Sequence, residues 1–186
     1  LSPTDAYFEA VSAMTTTGST VMVGLDQTAR PILLWRSVMQ AFGGVGIIVV
    51  GIIMMPFLRV GGMQLFQTES SDRSEKIVSR SFDLSLWILT IYLVLMFVSA
   101  FAFAAAGMGW FDAFNHAMTA ISTGGFSTHD ASFGHFANYR QADALLWIAI
   151  AAMLAGSMPF VAYIRIAKGN LGALFSDIQV RAYVLF

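Results

Sequence analysis

The sequence has 186 residues, of which 57% are hydrophobic and 11% are charged, and its mean hydropathy is +0.70. Such a composition is far more apolar than that of an ordinary soluble domain and predicts a membrane protein. The net charge of -1 gives no indication of a nucleic-acid partner, and the lack of cysteine excludes a disulfide framework and thiolate metal sites. The sequence begins with Leu and has no recognisable signal segment, so we expect an interior piece of a longer protein.

The first apolar segment, Asp5–Met14, is short and runs directly into the polar sequence TTTGSTV. A helix of about ten residues reaches only about 15 Å, whereas the hydrocarbon layer of a membrane is about 30 Å thick. We expect Asp5 to cap the N-terminus of this helix. The segment is too short to span a membrane.

Three later segments are long and apolar enough to cross a membrane: Pro31–Pro56, Leu84–Ala106 and Ala142–Ile164. Between the first two, residues 57–83 are rich in charged residues of both signs and are predicted to form a solvated loop with a short helix. This loop carries four basic residues, and Arg165, Lys168 and Arg181 follow the last span. By the positive-inside rule, the loop and the C-terminal tail lie in the cytoplasm.

A second short apolar segment, Asp112–Ile121, lies between the second and third spans and runs into STGGFS. If either short segment crossed the membrane, the charge bias of the flanking loops would be inverted. Both are therefore predicted to be re-entrant helices that enter and leave on the outer side. Irregular backbone at membrane depth is tolerated only against protein or a water-filled cavity, so this arrangement predicts a pore or cavity.

The two short segments are related by an internal repeat. With an offset of 107 residues, Asp5 aligns with Asp112, Thr16 with Thr123 and Gly18 with Gly125. Beyond the turns the offset is 112, and Gly44 aligns with Gly156. Each unit therefore consists of a short helix, a hydroxyl and glycine turn, a loop and a spanning helix.

The composition of the turns is typical of a site for an alkali cation. A desolvated cation needs several oxygens, and backbone carbonyls supply them without a full negative charge. Gly18, Gly124 and Gly125 give the backbone the freedom to turn successive carbonyls toward one axis. The preceding helices point their partially negative C-terminal ends at the same place.

The segments DAYFEAVSAMTTTGSTV, LLWRSVMQAFGGVGIIVV, RVGGMQLFQTES and FDAFNHAMTAISTGGFSTHDAS resemble the first two pore repeats of the Trk/Ktr/HKT superfamily of potassium transporters, in particular the TrkH-type membrane subunit. The resemblance covers nearly the whole chain. It implies an all-α polytopic membrane protein built from potassium-channel-like helix, re-entrant pore loop and helix repeats. About three full spans and two pore helices would belong to this chain.

In this interpretation residues 1–56 form the first pore repeat without its first span, and residues 57–83 form the cytoplasmic loop. Residues 84–164 form the second repeat, and residues 165–186 connect to a following one. Relatives of this kind have four repeats around one potassium pathway, so two of the four are expected here. The resemblance implies that K+ is coordinated by backbone carbonyls of the following selectivity-filter residues: Thr15, Thr16, Thr17, Gly18, Ser19, Ser122, Thr123, Gly124, Gly125 and Phe126.

The resemblance also implies a function and partners. The function is potassium uptake across the bacterial inner membrane, with no cofactor other than the transported ion. Serine replaces a filter glycine in some sodium-permeable relatives, so glycine at positions 18 and 125 favours potassium. The implied partners are a second copy of the full-length subunit and a cytosolic nucleotide-binding regulatory subunit of the TrkA type.

An alternative is a polytopic membrane enzyme or assembly protein whose re-entrant turns bind a substrate. An enzyme requires a nucleophile, a metal-ligand set or an acid and base pair near the turns. The turns contain hydroxyls and glycine without a paired base, which favours transport. His129, Asp130 and His135 do not have a recognisable metal-ligand spacing.

Three further groups of residues have less specific patterns. Glu9 and His116 occupy equivalent positions, for which a solvated helix face is the more common outcome and a vestibule or pairing role the alternative. Arg36, just inside the first span, is expected to reach the interface or to face protein or water. Glycines 43, 44 and 46 are expected to serve close helix packing, with gating as the alternative.

Overall fold

The computed structural model describes residues 2–58, 71–169, 172 and 180–182. Within these ranges the chain is helical and contains no β-strand, which confirms the predicted all-α class. Two short 3-10 helices, Leu25–Gln27 and Ser132–Phe136, lie in the loops. The α-helices are α1 (Pro3–Met14), α2 (Arg30–Leu58), α3 (Ser71–Ala105), α4 (Trp110–Ile121), α5 (Ala142–Ser157) and α6 (Phe160–Ala167).

The helices α1 and α4 correspond to the two predicted short helices, and each has 12 residues. Each begins two residues earlier than predicted, because the capping residue is not the aspartate. Ser2 caps α1 and forms a reciprocal capping box with Asp5, while Gly109 precedes α4 and Asp112 lies in its first turn. At about 1.5 Å per residue, each helix is about 18 Å long, which is too short to cross a membrane.

Two helices in the described part of the chain are long and apolar enough to cross a membrane, over Arg30–Ile52 and Phe82–Ala105. The helix α3 begins at Ser71, so residues 71–83, predicted to be mostly loop, are helical. The remainder of that predicted loop, residues 59–70, lies outside the described residues.

The third predicted span is divided into α5 and α6. The break lies at Met158, which has an extended backbone with φ -70° and ψ 149°, and at Pro159. Proline has no amide hydrogen to donate to a helical ladder, and it disfavours helical backbone in the residue before it. The helices α5 and α6 provide a third membrane span only if the two are counted as one broken segment.

The chain divides into two compact units, and each is described by itself. The first consists of Leu1–Gly44 and Tyr92–Met158 and contains α1, α4 and both hydroxyl and glycine turns. The second consists of Val45–Ile91 and Pro159–Phe186, where Ile88 and Ala162 are buried. These units follow spatial contacts, whereas the boundaries of the pore repeats stay a prediction from the sequence.

The core of the first unit forms around α4, which packs against α5. Ala113 and Ala117 on α4 are completely buried, and so are Phe103 and Leu145. The alanines leave room for the larger side chains to pack close to the helix backbone. Of the described helices, α4 is the one with the longest run of buried residues, from Asn115 to Ile121.

Glycines allow a spanning helix to contact the end of each short helix. A Cβ added to Gly43 would lie 2.2 Å from the carbonyl oxygen of Met14, and one added to Gly156 would lie 2.1 Å from that of Ile121. Because Met14 and Ile121 are equivalent in the repeat, Gly43 is the structural counterpart of Gly156. The alignment of Gly44 with Gly156 is therefore wrong by one residue, and Gly44 instead packs against Ser122.

We predict that Gly43→Ala destabilises the full-length protein, because the new methyl group would overlap the Met14 carbonyl. Overpacking of this kind costs about 1–3 kcal/mol. Gly46→Ala is the matched control, since a Cβ at Gly46 has no neighbour within 4 Å among the described residues. Thermal unfolding in detergent should show a lower midpoint for the first variant alone, and equal midpoints would contradict the packing role.

Candidate functional site

Each short helix ends in a turn whose backbone has a positive φ at two positions, two residues apart. We call residues 15–19 the first turn and residues 122–126 the second turn. Thr16 and Thr123 have φ of 54° and 56°, and Gly18 and Gly125 have φ of 76° and 79°. Non-glycine residues rarely adopt such angles. The same rare conformations at two equivalent positions support the repeat seen in the sequence.

The backbone amides of both turns donate to the preceding helix in the same pattern. Thr16 donates to Ala13 at 3.0 Å and Thr17 donates to Ser12 at 3.0 Å. In the second turn, Thr123 donates to Ala120 at 3.0 Å and Gly124 donates to Thr119 at 2.9 Å. Each pair is related by the offset of 107. The helix ends therefore bind the turn amides and fix the direction of the peptide planes.

The carbonyl groups of the turns have a different environment. In the part of the chain that the structure describes, no backbone amide donates to a carbonyl of either turn. The Ser19 carbonyl accepts from the Ser12 hydroxyl at 2.6 Å, and the Ser122 carbonyl accepts from Thr123 at 2.7 Å. The remaining turn carbonyls are available as oxygen ligands. This arrangement suits the replacement of a cation's hydration shell.

The two turns approach each other at their glycines. A Cβ added to Gly18 would lie 1.7 Å from the carbonyl oxygen of Gly124. Such a contact is possible only without a side chain at position 18. Gly18 and Gly124 are the glycines that the sequence pattern indicated, and the structure brings the two predicted sets of residues together.

Gln40 on α2 lies against the second turn and is completely buried. Its Oε1 accepts from the amide of Phe126 at 3.2 Å, and a Cβ at Gly124 would lie within 2.7 Å of its amide group. Phe126 itself is buried. Gln40 did not stand out in the sequence, because a single glutamine in an apolar span has no characteristic pattern.

Glu9 and His116 are both buried, with exposures of 5% and 2%, so the expectation of a solvated helix face is wrong. Each binds the hydroxyl at the same position after its turn: Glu9 accepts from Thr20, and a His116 ring nitrogen lies 3.0 Å from the Ser127 oxygen. The sequence analysis gave a pairing role for Glu9 and His116 as the alternative to a solvated face. The structure supports pairing, because the backbone that leaves each turn folds back along the short helix and brings Thr20 and Ser127 to these side chains.

Arg36 is buried as well and forms an ion pair with Glu9. The sequence predicted that Arg36 faces protein, water or the interface, and burial against protein is the observed outcome. Its partner was not identified from the sequence, since Glu9 lies 27 residues away on another helix.

The loops that follow the two turns meet in a cluster of Asp26, His129 and His135. Asp26 accepts a hydrogen bond from His129, and the two imidazole rings are stacked 3.5 Å apart and within 6° of parallel. Ring nitrogens bind a metal in the plane of the ring, so two stacked parallel rings are poorly arranged for one ion. The cluster joins the loops that follow the two turns, and Asp26, the carboxylate that completes it, was missed by the sequence analysis.

Comparison with known proteins places these features in a family. A family model for TrkH, described as a cation transport protein, matches residues 1–186. The chain belongs to the TrkH family of cation transport proteins. The family consists of transporters, which removes the basis for a membrane enzyme as the alternative, and the chain is part of a multi-pass membrane protein.

Relatives within the TrkH family are similar over much or all of the chain. Identity is 48% over 185 residues to the Trk system potassium uptake protein TrkI of Halomonas elongata, covering 100% of this chain and 37% of that protein. Identity is 45% over 138 residues to TrkH of Escherichia coli K12, covering 73% of this chain and 29% of that protein. The crystal structure of the potassium transporter TrkH from Vibrio parahaemolyticus superposes with a TM-score of 0.78 at 38% identity, covering 100% of this chain and 36% of that one. The chain thus spans less than two fifths of the length of these relatives.

We predict that the cluster of Asp26, His129 and His135 loses strength in acid. The hydrogen bond from His129 lowers the pKa of Asp26 below its ordinary value of 3.8. A group with a lowered folded-state pKa stabilises the fold above its unfolded pKa, and this stabilisation is lost as the pH falls through the folded value. The difference in unfolding midpoint between the parent and Asp26→Asn should therefore be constant above about pH 5 and shrink below about pH 4. A difference that stays constant down to pH 3 would contradict this role.

Proposed function

We propose that the full-length protein takes up potassium, and that carbonyl oxygens of the first and second turns coordinate K+ as it passes. No covalent chemistry is involved, and K+ is the transported ion rather than a cofactor. The proposed ligands are the carbonyl groups of residues 15–19 and 122–126.

The observation that carries the proposal is the repeated backbone geometry of the turns. The same left-handed residues and the same amide hydrogen bonds occur at positions 107 residues apart. Binding of the amides by the helix ends leaves the carbonyls as the polar groups available to an ion. Carbonyl dipoles suit a monovalent cation, because they replace water without holding the ion as tightly as a carboxylate does.

The names of the relatives support the choice of potassium. The Halomonas elongata and Escherichia coli proteins are named potassium uptake proteins. Glycine at positions 18 and 125 agrees with this choice. Since the chain covers only part of such proteins, we propose that further repeats in the full-length protein supply the other ligands around one pathway.

The proposed setting is the bacterial inner membrane, with both turns facing the outer side. The basic residues of the 57–83 loop and of the tail after residue 164 support a cytoplasmic position for those segments. The proposed partners are a second copy of the full-length subunit and a cytosolic nucleotide-binding regulatory subunit. Copurification of the full-length protein with such a regulatory subunit tests the proposed regulatory partner.

We predict that Gly125→Ser lowers the preference of the full-length transporter for rubidium over sodium by about tenfold, which corresponds to about 1.4 kcal/mol. Serine disfavours a φ of 79° and would change the orientation of the neighbouring carbonyl. Position 125 is a better probe than position 18, because a Cβ there has no neighbour within 4 Å among the described residues. The effect on protein abundance should therefore be small.

Rubidium and sodium fluxes into proteoliposomes provide the measurement. Gly134→Ser in the outer loop is the matched control, since Gly134 has ordinary space for a Cβ and no left-handed backbone. The control should keep the parent's flux ratio. An unchanged ratio in folded Gly125→Ser protein would count against the proposed ligands.

A further inference from the structure

A buried ion pair lies behind the two turns. Arg36 on α2 donates from Nε to Oε2 of Glu9 on α1 at 3.2 Å, and the side chains of both residues are 6% exposed. Charged groups are costly to bury, and removing one partner leaves the other uncompensated. A pair of apolar side chains could not form the hydrogen bonds that these two groups make to the chain after the turns.

The carboxylate of Glu9 holds the chain that leaves the first turn. Its Oε1 accepts from the Thr20 hydroxyl, from the Val21 amide at 2.6 Å and from the Met22 amide at 3.1 Å. Both carboxylate oxygens are therefore used, one by the chain after the turn and the other by Arg36. Charge-assisted bonds of this kind are stronger than neutral ones.

The guanidinium of Arg36 contacts the chain after both turns. One Nη donates to the Thr20 hydroxyl at 3.0 Å, and the other donates to the Ser127 carbonyl at 3.4 Å. Thr20 and Ser127 are equivalent in the repeat, each two residues beyond the left-handed glycine of its turn. The guanidinium also lies over the ring of Phe126, with Cζ 4.1 Å from the ring centroid. One side chain thus contacts the same position of both repeats.

The second repeat has no equivalent charge pair. The counterpart of Glu9 is His116, and the residues 112 and 113 positions after Arg36 are the uncharged Ile148 and Ala149. The ring of His116 binds the Ser127 side chain, while the Ser127 backbone relies on Arg36. Arg36 of the first repeat therefore serves the second repeat too.

We propose that Arg36, anchored by Glu9, is a positioning residue for ion selection that fixes the first and second turns relative to each other. The inference rests on the proposed function, in which carbonyls of both turns coordinate K+. Discrimination between K+ and Na+ by carbonyl ligands depends on their spacing and number. Arg36 has a rigid planar fork of donors that can hold two chains at once, whereas lysine has a single charged nitrogen on a flexible stem.

The test compares Arg36→Lys with Arg30→Gln in the full-length protein in proteoliposomes. Lysine keeps a positive charge beside Glu9 but cannot reproduce the fork, so we expect the rubidium-to-sodium flux ratio to fall about fivefold to tenfold. Arg30 lies on the same helix, is exposed and contacts Phe111 rather than either turn. Its variant should keep the parent's ratio within about twofold, although it removes a charge.

A second, milder variant keeps the test decisive if Arg36→Lys does not fold. Thr20→Val keeps the shape of the side chain and removes the hydroxyl that both Glu9 and Arg36 bind. Its matched control is Thr28→Val, whose hydroxyl donates to the Gly24 carbonyl in the same loop and to neither turn among the described residues. A lowered flux ratio in Thr20→Val, with Thr28→Val unchanged, supports the proposal.

The outcomes separate this inference from the proposed function. Folded variants at positions 36 and 20 that select rubidium as well as the parent does would overturn the positioning role and leave potassium uptake intact. A parent protein without any preference for rubidium over sodium would overturn the proposed function, and the positioning role with it. Loss of thermal stability at an unchanged flux ratio would show that the ion pair is structural only, which also overturns the inference.

Discussion

The partnering of backbone amides and carbonyls is the constraint on which this structure depends. A re-entrant segment takes irregular backbone to a depth where unpaired polar groups are costly. Here the ends of α1 and α4 accept the turn amides, and most turn carbonyls receive no backbone donor within the described ranges. An unpaired carbonyl is stabilised when a cation is its partner. The same arrangement therefore accounts for how the turns fold and supports the proposal that they bind a cation.

Close backbone contacts and buried polar side chains maintain this arrangement. Gly43 and Gly156 let the spanning helices touch the ends of the short helices, and Gly18 contacts the Gly124 carbonyl. Around these contacts lie polar groups that are almost fully buried, namely Glu9, Arg36, Gln40 and His116. Buried polar groups specify one geometry where they are partnered, as Glu9 and Arg36 are. The geometry of the turns thus depends on buried residues outside the turns themselves.

Much of the fold could be predicted from the sequence, because its signals are local. Hydropathy located the spanning segments, and the offset of 107 identified the two turns and the equivalence of Gly18 with Gly125. Errors occurred where a boundary depends on one residue. Ser2 rather than Asp5 caps α1, Pro159 separates α5 from α6, and α3 begins at Ser71 within the predicted loop.

The polar side chains around the turns could not be predicted in the same way. Glu9 and Arg36 are 27 residues apart, and Asp26 and His129 are 103 residues apart, so their pairing depends on tertiary structure. A charged residue on a short amphipathic helix is usually solvated, and only the return of the chain after each turn buries Glu9 and His116. Gln40 is a polar residue in an apolar span whose role becomes visible only beside Gly124.

The central claim is that carbonyls of the two turns bind the transported ion. Crystals of the full-length protein soaked in a rubidium salt, with data collected at the rubidium absorption edge, test it most directly. Anomalous peaks are expected within coordination distance of carbonyl oxygens from both residues 15–19 and residues 122–126. Peaks confined to other parts of the protein, with both turns empty in an otherwise ordered structure, would contradict it.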